Sequence, residues 1–287
     1  MRPLDVRASP VARTDRGSGH LFSRYAPLYD AEERRNPVAR WTRARNLAHL
    51  KAVFSPGAFL LEIGCGTGTE AMALARAGRS IIATDDAPGM IEQVRLKVAA
   101  ESGADAIPRV QPILLPAARL HELTASYGHM GFDGVYSSFG PLNCEPDLPR
   151  VFDSIAALVR PGGMVVISLL GRYCLWETAW HLAHGDGHRA FRRWSGIAQG
   201  TVQAEWAADT IEVHYWSSAE INSIFERSFK LVERASLPWI LPPQYLGGIF
   251  RGRSRLFKLL ASVERITAQC FPANLVGDHI RYTFIRK

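Results

Sequence analysis

The chain has 287 residues, 47% of them apolar and 21% charged, values of a globular protein able to bury a large core. No run of about 18 apolar residues is present and no apolar stretch follows Met1, so neither a membrane-spanning helix nor a secretory leader is expected. Four cysteines without a CxxC pair argue against a zinc module or a disulfide scaffold and fit free thiols in a cytoplasmic protein. The net charge of +7 is uneven: residues 1–51 carry 11 basic and 5 acidic side chains, residues 52–248 carry 15 and 20, and residues 249–287 carry 8 and 2. A nucleic-acid enzyme usually concentrates basic charge around its site, and here the middle is acidic.

Residues 1–20 are rich in Arg, Pro, Ser and Gly without a period and read as a mobile tail. The aromatic stretch Phe22–Asp30 follows; its Tyr25 and Tyr29 either close over a ligand or cap the core. A helix is expected over Asn36–Phe54. It carries Arg43, which could grip a ligand carboxylate bidentately or be a solvated helix arginine.

Leu60–Gly68 is the most informative stretch: an apolar strand, a glycine turn, then a helical pattern from Thr69. Such a turn lets backbone N–H groups approach a ligand at the positive end of a helix. Gly64, Gly66 and Gly68 give G-x-G-x-G, neither the dinucleotide G-x-G-x-x-G nor a P-loop. Glu62, two residues before the first glycine, would repel a pyrophosphate and attract a cation. The ligand implied is nucleoside-like and positively charged, as S-adenosylmethionine is. The next strand, Ser80–Thr84, ends in Asp85-Asp86, placed to accept hydrogen bonds from ribose hydroxyls.

Further strands are expected at Val110–Leu115, Phe132–Ser137, Met164–Leu170, about Lys230–Ala235 and Ile280–Ile285. Helices are expected at Pro88–Glu101, Ala117–Ser126 and Asp147–Val159. The alternation gives an α/β fold with a doubly wound, mostly parallel sheet. The last strand alternates polar and apolar residues and is expected at or near an edge.

With LLEIGCGTG, IIATDDAPGM, FDGVYSS, LVRPGG and MVVISLL in place, residues 22–170 resemble the class I S-adenosylmethionine-dependent methyltransferases, closest to the small-molecule, ubiquinone/menaquinone-biosynthesis type. The resemblance implies a seven-stranded Rossmann-like sheet with its last strand antiparallel between neighbours. It implies that Gly64, Cys65, Gly66 and Gly68 bend around the methionine and ribose of the cofactor, with Glu62 at the methionine end. Asp85, with Asp86, takes the ribose hydroxyls, and Met90 packs near adenine. Ser137, Ser138 and Phe139, ending the fourth strand, face the cofactor. The acid that often follows the third strand is missing, so adenine is expected near Ala117; Tyr25 and Arg43 complete the cofactor set. The Asn/Asp-Pro-Pro-Tyr/Phe signature of base-N-methylating enzymes is also absent.

Residues 171–216 interrupt the pattern after the fifth strand, with five of the seven tryptophans (176, 180, 194, 206, 216), and read as a lid over the substrate pocket. The core is then 21–170 and its C-terminal completion 217–287. Candidate bases in the lid are His181, His184 and Glu177, with His188, Tyr173 and His214 nearby. The His181-x-x-His184-x-x-x-His188 spacing is interrupted by Gly185 and Gly187, and no metal is expected. Ile249–Leu260 mixes arginines with large apolar residues, as helices at membrane surfaces do, and a weak contact of that kind is a further expectation. The reading is methyl transfer from S-adenosylmethionine to a small, lipophilic or aromatic metabolite, releasing S-adenosylhomocysteine. An RNA or protein methyltransferase and a non-catalytic cofactor-binding protein are the alternatives.

Overall fold

The computed structural model describes residues 18–101, 109–204, 207–250 and 252–287. Residues 1–17 of the expected tail, Trp206 and Arg251 lie outside the described residues. Residues 18–20, assigned to that tail, form the first turn of helix α1 (Ser18–Arg35).

α1 sets Phe22, Ala26 and Tyr29 on one face, against Ala87 and Met90. Small residues let the backbones meet: a Cβ on Gly19 would lie 2.4 Å from the Asp86 carbonyl oxygen, and one on Gly89 2.5 Å from that of Ser23. α2 (Pro37–Val53) starts where expected, because Asn36 accepts from the N–H groups of Val38 and Ala39 and Pro37 has no N–H to satisfy.

The parallel strands follow, each linked by helix or turn: β1 (Phe59–Ile63), α3 (Thr69–Arg76), β2 (Ser80–Asp85), α4 (Pro88–Glu101), β3 (Val110–Leu114), β4 (Phe132–Ser137), α6 (Leu148–Leu158) and β5 (Val159–Leu170). Between β3 and β4 the expected helix is instead a 3-10 segment, Ala117–Leu123, running into the single turn α5 (Thr124–Tyr127). The sheet order is β3-β2-β1-β4-β5-β9-β8, so the winding reverses between β1 and β4. That reversal opens a crevice at the carboxyl edge, where α/β proteins bind ligands.

Strand alternation splits the core across the two faces of the sheet. Leu61, Ile63, Ile82 and Val135 pack with Phe152 and Ile155 of α6. Leu60, Ile81, Ala83 and Tyr136 pack with Leu50 of α2, Leu74 of α3 and Val94 of α4. Each large side chain buried this way contributes about 1.5–3 kcal/mol.

After β5 come α7 (Leu175–Ala183), α8 (Gly187–Ala190) and an antiparallel hairpin, β6 (Ile197–Ala204) and β7 (Ala207–His214), which the sequence reading did not foresee. α9 (Ser218–Phe225) opens on a Ser217/Glu220 capping box, and β8 (Phe229–Ser236) forms the sheet edge. α10 (Ser254–Thr267) and β9 (His279–Arg286) finish the described chain.

The last strand stands one place in from the edge, near it as expected: β9 lies between β5 and the edge strand β8, antiparallel to both, as the resemblance implied. Its apolar residues Ile280, Tyr282 and Phe284 enter the core. The intervening polar residues are buried too: Thr283 hydrogen-bonds His49 Nε2 of α2 at 2.8 Å, and Arg281 donates to Glu233 at 2.8 Å. Polar alternation here reflects satisfied partners beneath a helix, not solvent. Ile249–Leu260 is likewise not one helix; it spans the end of a 3-10 turn (Gln244–Phe250) and the start of α10.

Candidate active site

The turn after β1 is built of glycines with different tasks. Gly64, Gly66 and Gly68 all have positive φ (68°, 52° and 74°), where side chains are strained. A Cβ on Gly64 would meet the Pro141 ring, and one on Gly68 would lie 2.8 Å from Val94 of α4. Around Gly66 such a carbon would find nothing within 4 Å. Gly68 is therefore a packing glycine at the α3 N-terminus, while Gly66 borders open space.

That space is a cavity of about 930 Å3, counted out to its mouth. Glu62, Gly64, Cys65, Gly66, Asp85, Asp86 and Met90 line it from β1, β2 and α4. Ala117, Ser138 and Phe139 line it across the crevice, and Arg43 lines it from α2. Three expected residues do not border it. Tyr25 turns to Glu32 and sets its ring edge-on to Tyr29, which does line the wall. Ser137 Oγ donates to the Ile63 carbonyl at 2.8 Å, tying β4 to β1. Gly68 faces Val94. Tyr29, one of the two tyrosines weighed for this position, borders the cavity, and so do Phe22, Glu70, Pro141 and Glu145, which the sequence did not single out. The period of α1 (Phe22, Ala26, Tyr29) was the available signal.

Acids gather along the cavity: Glu62, Glu70, Asp85, Asp86 and Glu145 all border it. Burial drives the Glu62 carboxyl well above its ordinary value, and the neighbouring Glu70 adds to the shift. Its Oε2 is buried without a hydrogen-bond partner. Burial also pushes Asp85 up to about 6, against N–H donation from Ala87 at 2.9 Å and Gly66 at 2.8 Å. Arg43 is already engaged, by Glu33 and by Glu70 Oε2 at 2.8 Å, and its guanidinium lies 5.3 Å from the Phe139 ring centre. Phe139 is the one non-glycine residue with positive φ (64°) among the described residues, a strained position of the kind that clusters at functional sites.

α1 is pinned over the cavity. Thr67 Oγ1 donates to Asp30 Oδ1 at 2.5 Å, and Lys97 Nζ pairs with Asp30 Oδ2 at 2.6 Å while donating to the Thr67 carbonyl at 2.7 Å.

A second cavity, about 1020 Å3 out to its mouth, adjoins the first; Tyr29, Arg43 and Phe139 border both. Its other walls include Leu170 at the end of β5, Arg192 and Arg193, Val213 of the hairpin, Tyr215, Tyr245, Asp278 and His279. Asn143 holds the hairpin down: its Nδ2 donates to the His214 carbonyl at 2.7 Å and its Oδ1 accepts from Leu170 N–H at 2.8 Å.

The expected bases sit elsewhere. Glu177 is buried and grips Arg192 (2.5 Å) and Arg193 (2.7 Å), which hold it below the usual carboxylate range despite burial. Arg193 also reaches Asp278 Oδ1 at 2.9 Å. His184 is exposed and bonds the Trp180 carbonyl at 2.7 Å. Neither His181 nor His184 borders either cavity, and Tyr173, His188 and His214 do not either. Among the described residues no group of three or more His, Cys, Asp or Glu side chains could hold a metal ion.

Residues 60–163 match the family model described as a methyltransferase domain. The match takes in β1 to the start of β5, hence the glycine turn, Asp85 and Phe139. Apart from Phe139, the residues around the second cavity fall outside it.

Among curated proteins, the ubiquinone biosynthesis O-methyltransferase of Xanthomonas axonopodis pv. citri is 31% identical over 145 residues, 50% of this chain and 56% of that protein. The malonyl-[acyl-carrier protein] O-methyltransferase of Serratia marcescens is 29% identical, over 58% of each. The chain thus spans little more than half the length of the curated relatives it matches. Among solved structures, the CcbJ methyltransferase of Streptomyces caelestis superposes with a TM-score of 0.58 at 18% identity, covering 93% of this chain and 98% of that one. The [4+2]-cyclase SpnF reaches 0.58 at 16% identity, over 97% of each. These two likenesses show the fold, and the fold alone does not separate a methyltransferase from a cyclase.

Proposed function

We propose that this protein transfers a methyl group from S-adenosylmethionine to a small, lipophilic or aromatic molecule. The observation that carries the reading is the pair of adjoining cavities. One is flanked by a buried carboxyl with an unpartnered oxygen (Glu62 Oε2), an open glycine (Gly66) and an acid at the end of β2 (Asp85); the other has Tyr29, Phe139, Tyr215 and Tyr245 among its walls.

The residues of the first cavity fit the cofactor. Glu62 would face its cationic amino-acid end, Asp85 would accept from ribose hydroxyls, and Met90 and Ala117 would flank the base. Bound there, the cofactor supplies an electrophilic methyl. The protein's part is alignment and exclusion of water, with α1 as one cover and residues 171–216 as a lid over the acceptor. The relatives named for O-methylation of small or carrier-bound substrates support this class of acceptor. Calorimetry with S-adenosylmethionine and S-adenosylhomocysteine tests the reading, together with transfer of labelled methyl to a panel of hydroxylated aromatic acceptors. Absence of heat with both compounds would refute it.

The outer face of α10 supports a weak contact with an anionic membrane surface, from which a lipophilic acceptor could be drawn. Leu256, Leu259, Val263 and Ile266 share one helical face and are 44%, 61%, 39% and 77% exposed, with Arg255, Lys258 and Arg265 beside them.

A further inference from the structure

We propose that His279, paired with Asp278, is the general base that takes the proton from the acceptor's hydroxyl. This rests on the methyl-transfer reading and names its acceptor class: a molecule whose reacting oxygen carries a weakly acidic proton, as a phenol does.

His279 opens β9. Because β9 runs antiparallel to β1–β5, its first residue arrives at the edge where their carboxyl ends lie, and it pairs with Leu170, the last residue of β5. The main chain there is clamped. Leu237 N–H donates to the His279 carbonyl at 2.8 Å, Asp278 N–H to Pro238 at 2.8 Å, and Gly171 N–H to the Asp278 carbonyl at 2.8 Å. The imidazole is buried, lines the second cavity and meets the Phe139 ring edge-on at 5.9 Å. Phe139 borders both cavities, so His279 stands beside their junction.

The two ring nitrogens differ. Nδ1 lies 3.2 Å from Asp278 Oδ2; the contact is close but falls short of hydrogen-bond geometry, so it is an electrostatic pairing. Nε2 has no protein partner among the described residues. Burial alone would raise Asp278, yet His279 and Arg193 hold it well below the ordinary carboxylate range, so it is anionic. Arg193 fixes it from the far side, at 2.9 Å. An imidazole whose Nδ1 faces a fixed carboxylate is suited to accept a proton at Nε2, because the imidazolium that forms is compensated at once.

The step balances. As the acceptor oxygen bonds to the methyl carbon, the carbon–sulfur bond breaks and its electron pair stays on sulfur. The acceptor's O–H proton passes to Nε2, and His279 returns it to solvent after product leaves. A carboxylate acceptor has no proton to lose and would not need this group.

The test uses His279→Gln and Asp278→Asn in the full chain, each checked for a native melting transition. With S-adenosylhomocysteine bound, 4-nitrophenol is titrated with protein one pH unit below its pKa in water, and the visible phenolate band is followed. Wild type is expected to raise the band as His279 takes the proton, and His279→Gln to abolish the rise while S-adenosylhomocysteine affinity stays within about threefold. Methylation of a phenolic acceptor is expected to fall about 10²–10⁴-fold in His279→Gln and less in Asp278→Asn. No rise in wild type, or an equal rise in His279→Gln, overturns the proposal. The band is read without methyl transfer, so its outcome stands apart from whether the protein is a methyltransferase.

Discussion

Gly64 and Pro141 are in contact across the crevice: a Cβ built on Gly64 would lie 2.2 Å from the Pro141 Cβ and 2.5 Å from its Cγ. The proline ring begins the turn after β4 and cannot swing away as a flexible chain could. Gly64 also has a φ of 68°.

Gly64→Ala is therefore expected to cost about 1–3 kcal/mol of stability, from strain and overpacking together. It should also weaken S-adenosylmethionine binding at least about tenfold, because Gly64 and Pro141 both line the first cavity. Urea unfolding and calorimetry on the same preparation measure both. A variant as stable as wild type would contradict the contact.

Cofactor affinity should depend on pH through Asp85. Its folded-state value of about 6 is raised above the unfolded value of about 4. In the ligand-free protein this acid therefore favours folding at low pH, and that contribution is lost as pH rises from about 4 to about 6. Ribose hydroxyls need the ionised form, so affinity should drop about tenfold per pH unit below 6. Burial raises the Glu62 carboxyl, so binding of a cationic ligand beside it should draw a proton from it into the buffer. Calorimetry in buffers of different ionisation heat would detect that proton, and Glu62→Gln should remove it. Affinity independent of pH between 5 and 7 would sink this account.

Glu177→Ala tests whether that residue anchors the insertion. It would leave Arg193, 4% exposed, with one carboxylate partner in place of two and Arg192 without its own. A loss of about 3–5 kcal/mol is expected. In wild type, Glu177 and Asp278 are held below the ordinary carboxylate range, so their stabilisation is present above it and is lost as pH falls through their lowered values. An acid-unfolding midpoint unchanged in Glu177→Gln would count against the ion network.

The exposed face of α10 predicts sedimentation with vesicles rich in anionic lipid. The double change Leu259→Glu and Ile266→Glu should abolish it without altering the melting temperature by more than a few degrees, since both side chains are exposed. Failure of the wild-type protein to sediment would end the idea.

Most of the first cavity was legible in the chain, because its residues fall within short local segments. A strand, three glycines and an acid closing the next strand specify geometry by sequence distance alone. The second cavity was not legible. Asp278 and His279 lie far along the chain from Phe139 and reach it only because β9 inserts between β5 and β8. Sequence order points to residues 171–216 for a base, since these follow β5 at the ligand edge. Yet an antiparallel strand brings its first residue to that same edge, and Asp-His at the head of an alternating run was the signal. Aromatic identity does not separate Tyr25 from Phe22 and Tyr29; helical phase does, because Phe22, Ala26 and Tyr29 share the buried face of α1.

β9 has a consequence for assembly of the protein. Among the described residues β8 is hydrogen-bonded to the sheet only through β9, and Tyr282 and Phe284, each 1% exposed, complete the core beside β5. A nascent chain that has emerged as far as β8 still presents an open flank along β5, an adhesive margin until the late strand arrives. Loss of residues 278–286 would remove the Asp-His pair and leave that flank bare, so one short segment joins the proposed chemistry to the solubility of the newly made protein.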